Sequence, residues 1–131
     1  MKLVVIDDEE KVCRLICALI DWERLGIEAA GTAADGEDGL NLIRVVRPDI
    51  LITDIRMPGK DGLELIAEAK SFLPHLQVII ISGYSQFDYA QAAIRYGVVN
   101  YLLKPVKKQE LNAILEKITR EHRQRLAETD R

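Results

Sequence analysis

Four residues that could carry out chemistry each follow an apolar run of the sequence. The runs and the residues directly after them are Leu3–Ile6 before Asp7, Ile50–Thr53 before Asp54, Val78–Ile81 before Ser82, and Val98–Leu103 before Lys104. A carboxylate such as Asp54 can attack phosphorus and form an acyl phosphate. A zinc site or a histidine-based triad is not favoured, because the only histidines, His75 and His122, lie far apart near presumed helix ends.

A second carboxylate, Asp8, stands beside Asp7. If both lie close to Asp54, the three groups repel one another and raise one another's pKa unless a cation is present. Oxygen ligands in this number suit Mg²⁺, which binds a few carboxylates and keeps several waters. The alternative is that the acidic residues after the first run only favour the positive N-terminal end of a helix.

A phosphoryl group on Asp54 would need partners for its oxygens. Mg²⁺ would neutralise two of them, the Lys104 ammonium would pair with another, and the Ser82 hydroxyl could donate a hydrogen bond to one. Glycine-rich phosphate loops are absent, since the segment Gly36–Gly39 lacks the required spacing. Nucleotide binding is therefore not expected.

The elements that must position these residues alternate between strands and helices. Segments between the apolar runs have helical apolar spacing, as in Val12, Leu15, Ile16 and Leu19. A weaker run, Ile27–Ala33, fills the second strand position, and its Gly and Ala content favours an edge strand. The pattern predicts one α/β domain with five strands and five helices. In a parallel sheet the carboxyl ends share one edge, so Asp7, Asp54, Ser82 and Lys104 should converge there.

Composition narrows the function further. The chain has 131 residues, 48% of them apolar, and a formal charge of −3, which gives no general reason to bind nucleic acid or an anionic membrane. We expect no signal peptide or membrane span and a cytoplasmic location.

Cys13 and Cys17 are four apart in a predicted helix and are expected to pack as small apolar side chains.

These motifs resemble those of a known family, the receiver domains of two-component response regulators, over about residues 1–119. The matching residues are Asp7 and Asp8, Asp54, Met57-Pro58, Asp61-Gly62, Ser82, and Lys104-Pro105. The resemblance implies a single doubly wound (βα)5 flavodoxin-like domain with a parallel sheet in the order 2-1-3-4-5. It also implies a signalling protein that promotes only its own phosphorylation and slow dephosphorylation.

The resemblance further implies a role for each matching residue. Asp54 is the phosphoacceptor, and Asp7 or Asp8 binds Mg²⁺ together with Asp54 and the backbone carbonyl of Arg56. Ser82 and Lys104 contact the phosphoryl group, Tyr101 is the aromatic switch, and a cis peptide bond precedes Pro105.

The implied partners are a sensor histidine kinase and, after phosphorylation, a second copy of the chain. The segments 21–27 and 82–90 look like those of receivers that precede an AraC-type helix-turn-helix domain, as in YesN-like regulators. We expect such a domain to be absent here and residues 120–131 to form the end of the last helix and a linker. DNA would be bound only through the absent effector domain, and no membrane is involved.

Two other classes of function are considered. An aspartyl phosphohydrolase would need a second carboxylate two residues after Asp54, where Arg56 stands. A phosphorylation-independent interaction module would not need the site residues at all. One residue departs from the family pattern: Lys60 stands where many members have Met, which leaves open how tightly the loop after Asp54 packs. Arg56 and Tyr84 lie two residues after Asp54 and Ser82, and we expect them to modulate the access of water to the phosphoryl group.

Overall fold

A computed structural model describes residues 1–83 and 87–129. The strands are β1 (Lys2–Ile6), β2 (Glu28–Ala33), β3 (Ile50–Thr53), β4 (Gln77–Ser82) and β5 (Asn100–Leu103). The helices are α1 (Glu10–Leu19), α2 (Trp22–Leu25), α3 (Gly36–Val46), α4 (Gly62–Phe72), α5 (Phe87–Arg95) and α6 (Lys108–Thr129). No helix in these ranges is both long and apolar enough to cross a membrane.

The strands form one parallel sheet in the order β2-β1-β3-β4-β5, which confirms the predicted fold and order. Every residue of β3 is buried, as expected of a central strand covered on both faces. β2 lies at an edge and is largely exposed or half-buried, which confirms its predicted position. Register places Ile6 beside Thr53 and Thr53 beside Ile80, so the carboxyl ends of the three central strands lie at similar heights.

Alternate side chains of the sheet enter two separate cores. On β1, Leu3 and Val5 pack with residues of α1 and α6, whereas Val4 and Ile6 pack with residues of α3, α4 and α5. Cys13 is buried in the first core and Cys17 is half-buried against it, in agreement with their predicted packing role. Both faces are therefore covered by helices, and the carboxyl edge of the sheet is where the functional side chains emerge.

The described residues contain six helices where five were predicted. The additional helix, α2, is a single turn that ends at Gly26, whose φ of 67° is in the left-handed region. The Trp22 Nε1–H donates to the carbonyl of Cys17 at 2.8 Å. The buried Asn112 of α6 accepts from the Asp21 N–H at 2.9 Å and donates to the Leu19 carbonyl at 2.8 Å. Hydrogen bonds from two neighbouring helices thus hold a turn that is too short to show an apolar period.

α6 continues to Thr129, and its mostly exposed distal part covers residues for which the end of the last helix and a linker were expected. One boundary differs from the predicted one. β5 begins at Asn100 rather than at Val98, and Val98 packs against the second core before the strand starts. On α5, Ala93 is buried, but the neighbouring Ile94 is 79% exposed, so not every apolar side chain of this helix packs against the core.

Candidate functional site

Asp54 lies directly after β3 and is only 4% exposed. Its backbone N–H donates to the carbonyl of Ile6 at 3.1 Å, which continues the pairing with β1 by one residue. Its Oδ1 accepts a hydrogen bond from the backbone N–H of Ile55 at 2.6 Å. The carboxylate therefore has a fixed orientation, with one oxygen held by the main chain and the other turned toward neighbouring side chains.

Asp7 lies after β1 and is 1% exposed. Its Oδ1 accepts from the backbone N–H of Glu9 at 2.9 Å, whereas its Oδ2 is buried and accepts no hydrogen bond from the described residues. Burial raises the pKa of Asp7, and the Glu9 N–H and the nearby Lys104 only partly oppose that effect. A buried carboxylate oxygen without a donor is a position that a cation would satisfy.

Lys104 reaches both buried carboxylates from the end of β5. Its Nζ lies 2.8 Å from Asp54 Oδ2, as a hydrogen bond, and 3.0 Å from Asp7 Oδ2, as an ion pair without a directed hydrogen bond. Partial burial alone would lower the pKa of Lys104, but the two carboxylates outweigh burial and raise it. The ammonium group is therefore charged at neutral pH and balances part of the negative charge.

The carboxylates of Asp7, Asp8 and Asp54 form a group with the geometry of a cation site. Their nearest oxygens all lie within 4.8 Å of one another, with Asp8 exposed and the other two buried. Asp8 and Arg56 line the same open recess of about 410 Å³, so Arg56 lies close to this cluster. Hard oxygen ligands, an unsatisfied buried oxygen and one side open to water fit Mg²⁺.

The loop after Asp54, residues 55–61, is held closely to the sheet. Ile55 and Met57 are buried in the second core, and Asp61 caps α4 by accepting from the Glu64 N–H at 2.8 Å. The N–H of Gly62 donates to the Ile55 carbonyl at 2.6 Å. A Cβ at Gly62 would lie 2.0 Å from the Asp54 carbonyl oxygen, so only glycine allows this approach.

The remaining predicted site residues lie on β4, on β5 and in the loop after β5. Ser82 is fully buried at the end of β4, and its carbonyl accepts from the Lys104 N–H at 2.9 Å. Tyr101 is half-buried and packs against the second core. The Lys104-Pro105 peptide bond is cis. Tyr84 lies outside the described residues.

Several contacts in and near the site could not be predicted from the residue types in the sequence. The main-chain donors of Glu9 and Ile55, which orient the two buried carboxylates, belong to residues whose side chains do not mark them. The ion pair between Lys60 and Glu68 was also missed, because a loop residue and a helix residue eight positions apart follow no helical spacing.

The response regulator receiver domain family matches residues 3–116 of the chain. The chain therefore belongs to this family. It is 41% identical over 120 residues to the uncharacterized transcriptional regulatory protein YesN of Bacillus subtilis, covering 92% of this chain and 33% of YesN. It is 39% identical over 121 residues to the transcriptional regulatory protein HptR of Staphylococcus aureus, covering 91% of this chain and 46% of HptR. The chain thus spans between a third and a half of the length of these relatives.

Solved structures agree with this assignment. The receiver (REC) domain of AraT, a response regulator from Geobacillus stearothermophilus, superposes with a TM-score of 0.89 at 39% identity, covering 95% of this chain and 97% of that one. A two-component transcriptional regulator AraC from Clostridium phytofermentans superposes with a TM-score of 0.82 at 32% identity, covering 89% and 91%. The chain is a response regulator receiver domain, a signalling domain rather than a conventional enzyme.

Proposed function

We propose that the chain is a phosphorylation-dependent switch of a cytoplasmic two-component system, in which Asp54 accepts a phosphoryl group from a histidine kinase. The observation that carries the proposal is the placement of one oriented carboxylate, Asp54, between an acidic cluster that fits Mg²⁺ and the Lys104 ammonium. Asp7 or Asp8 would hold the metal together with Asp54 and the Arg56 carbonyl. A metal bound there would reduce the repulsion between the incoming phosphoryl oxygens and the carboxylates.

The transfer forms one bond to phosphorus and breaks another. A carboxylate oxygen of Asp54 attacks phosphorus while the bond from phosphorus to the kinase histidine nitrogen breaks, and an acyl phosphate forms. Ile55 N–H holds the other carboxylate oxygen, so the attacking oxygen is the one now paired with Lys104. Lys104 then pairs with a phosphoryl oxygen, and Ser82 donates its hydroxyl to another.

The output of the switch would be a change in association between two copies of the chain. Ser82 and Tyr101 would move toward the phosphoryl group and alter the face formed by α5, β5 and α6. That face exposes apolar side chains, with Ile94 79%, Val99 38% and Leu103 51% exposed. Residues 1–119 would act as the receiver and residues 120–131 as the connection to an AraC-type DNA-binding domain, which would provide the contact with DNA.

Incubation with a small acyl phosphate donor tests the proposal. With Mg²⁺ we expect the intact mass to increase by one phosphoryl group and the product to be cleaved by hydroxylamine, as an acyl phosphate is. With a chelator in place of Mg²⁺ we expect no increase. A sustained release of phosphate from aryl or sugar phosphates would instead support a phosphohydrolase, and failure to bind a beryllofluoride phosphate mimic with Mg²⁺ would support a phosphorylation-independent module.

A further inference from the structure

Lys60, in the loop between β3 and α4, forms an ion pair with α4. Its Nζ lies 2.5 Å from Oε1 of Glu68, and the side chains of Lys60 and Glu68 are 14% and 45% exposed. The hydrogen bond to Glu68 raises the pKa of Lys60, and the charges of Glu37 and Glu64 act in the same direction. The lysine is therefore charged at neutral pH, and its stem is covered by protein.

The backbone of Lys60 also lies against α3. A Cβ built on Gly36, the first residue of α3, would lie 2.2 Å from the Lys60 carbonyl oxygen and 2.9 Å from its carbonyl carbon. The loop thus lies against the start of α3, main chain to main chain, while the Lys60 side chain reaches across to α4. Lys60 fixes the loop between two helices.

The position of Lys60 matters because the same loop carries Arg56. The segment between Met57, which is buried, and Lys60 consists of the exposed Pro58 and Gly59, and Gly59 has a φ of 75°. Pro58 and Gly59 line the same recess as Asp8 and Arg56, and release of Lys60 would extend this exposed stretch. A loop that is already ordered loses less conformational entropy when a ligand binds it.

We propose that Lys60 is a positioning residue for the metal site: its ion pair with Glu68 orders the loop of residues 56–60 that lines the recess beside Asp8, and thereby strengthens Mg²⁺ binding. The inference rests on the proposed function, because it assumes that the acidic cluster binds Mg²⁺. An apolar side chain at position 60 could not form the ion pair with Glu68.

Replacement of Lys60 with Met distinguishes an effect of loop positioning on Mg²⁺ binding from the direct electrostatic effect of the lysine charge. Removal of a positive charge near a cation site should, by Coulomb interaction alone, make Mg²⁺ bind more tightly. Loss of positioning should make Mg²⁺ bind more weakly. The two explanations therefore predict changes of opposite sign in the Mg²⁺ dissociation constant.

The experiment is a calorimetric titration of Mg²⁺ into the parent chain and its variants. We expect Lys60→Met to raise the Mg²⁺ dissociation constant about fivefold, the upper end for a partly exposed ion pair. Lys60→Arg keeps the positive charge and can still pair with Glu68, so it should bind Mg²⁺ within about twofold of the parent chain. Arg24→Met is the matched control, since it also removes one positive charge and breaks an ion pair, with Glu116, in the opposite helical layer.

Hydrogen exchange without metal provides a second measurement. In the presence of a chelator we expect the amides of Arg56, Met57, Gly59 and residue 60 to exchange faster in Lys60→Met than in the parent chain and to be unchanged in Arg24→Met. Equal or tighter Mg²⁺ binding by Lys60→Met, or equal weakening in Lys60→Arg, would overturn the inference and leave the proposed function intact. Failure of the parent chain to bind Mg²⁺ would instead overturn the metal site itself, and this inference with it.

Discussion

Lys104→Met is expected to lower the free energy of unfolding of the metal-free protein by about 3 kcal/mol near neutral pH, the lower end for breaking a buried ion pair. Lys104 is the cation that contacts both Asp7 and Asp54, which are almost fully buried. Without it, two neighbouring carboxylates are left charged in a site of low polarity. The measurement is urea unfolding in the presence of a chelator.

The loss should depend on pH. Burial raises the pKa of Asp7 in the folded state, so Asp7 binds a proton more readily when the protein is folded. The charged form of Asp7 destabilises the folded state, and this effect is removed as the pH falls through the raised pKa. The pKa of Lys104 is raised above its ordinary value of 10.5, so its stabilising effect is fully present at neutral pH and disappears only at strongly alkaline pH. The difference between parent and Lys104→Met should therefore shrink as the pH is lowered from about 7 to about 4, the ordinary pKa of an aspartate.

Lys107→Met is the matched control, because Lys107 is exposed and lies in the same loop. It should change the free energy of unfolding by less than about 0.5 kcal/mol. Mg²⁺ should stabilise Lys104→Met more than it stabilises the parent chain, since the metal replaces the missing cation. A loss below about 1 kcal/mol, the ordinary effect of a single substitution, would contradict the account, as would a loss that is the same at both pH values.

Gly62→Ala is expected to destabilise the protein by about 3 kcal/mol, the upper end for overpacking. The added Cβ would lie 2.0 Å from the Asp54 carbonyl oxygen and 2.9 Å from Ile55 Cα. Both are backbone atoms, so no flexible side chain can move aside, and the main chain next to Asp54 must shift. We therefore also expect weaker Mg²⁺ binding, which calorimetry would measure alongside urea unfolding.

Gly83→Ala provides the comparison, since a Cβ at Gly83 meets no atom of the described residues within 4 Å and its φ is not in the left-handed region. It should change stability by less than about 0.5 kcal/mol. Equal stability of Gly62→Ala and Gly83→Ala would show that the backbone after Asp54 is not closely packed.

The fold and the main site residues could be predicted because both depend on apolar periodicity. Buried parallel strands appear as apolar runs, and the residue that ends each run must lie at the carboxyl edge of the sheet. Asp7, Asp54 and Lys104 meet there as predicted from this rule. The edge position of β2 followed from its Gly and Ala content in the same way.

The features that the sequence left undetermined depend on contacts between distant segments. α2 is a single turn that is held by Asn112, which lies 91 residues after Asp21. The ion pair of Lys60 joins a loop to the side of a helix, and its partner follows no repeat. The hydrogen bonds that orient Asp7 and Asp54 come from main-chain donors, which every residue but proline has.

The central claim, that Asp54 accepts the phosphoryl group, is tested most directly by the intact mass of Asp54→Asn after incubation with an acyl phosphate donor and Mg²⁺. Asp61→Asn is the control, because it changes another aspartate of the same loop and asparagine is an equally good N-cap. We predict that the parent chain and Asp61→Asn each gain one phosphoryl group and that folded Asp54→Asn gains none. Undiminished incorporation by Asp54→Asn would contradict the account.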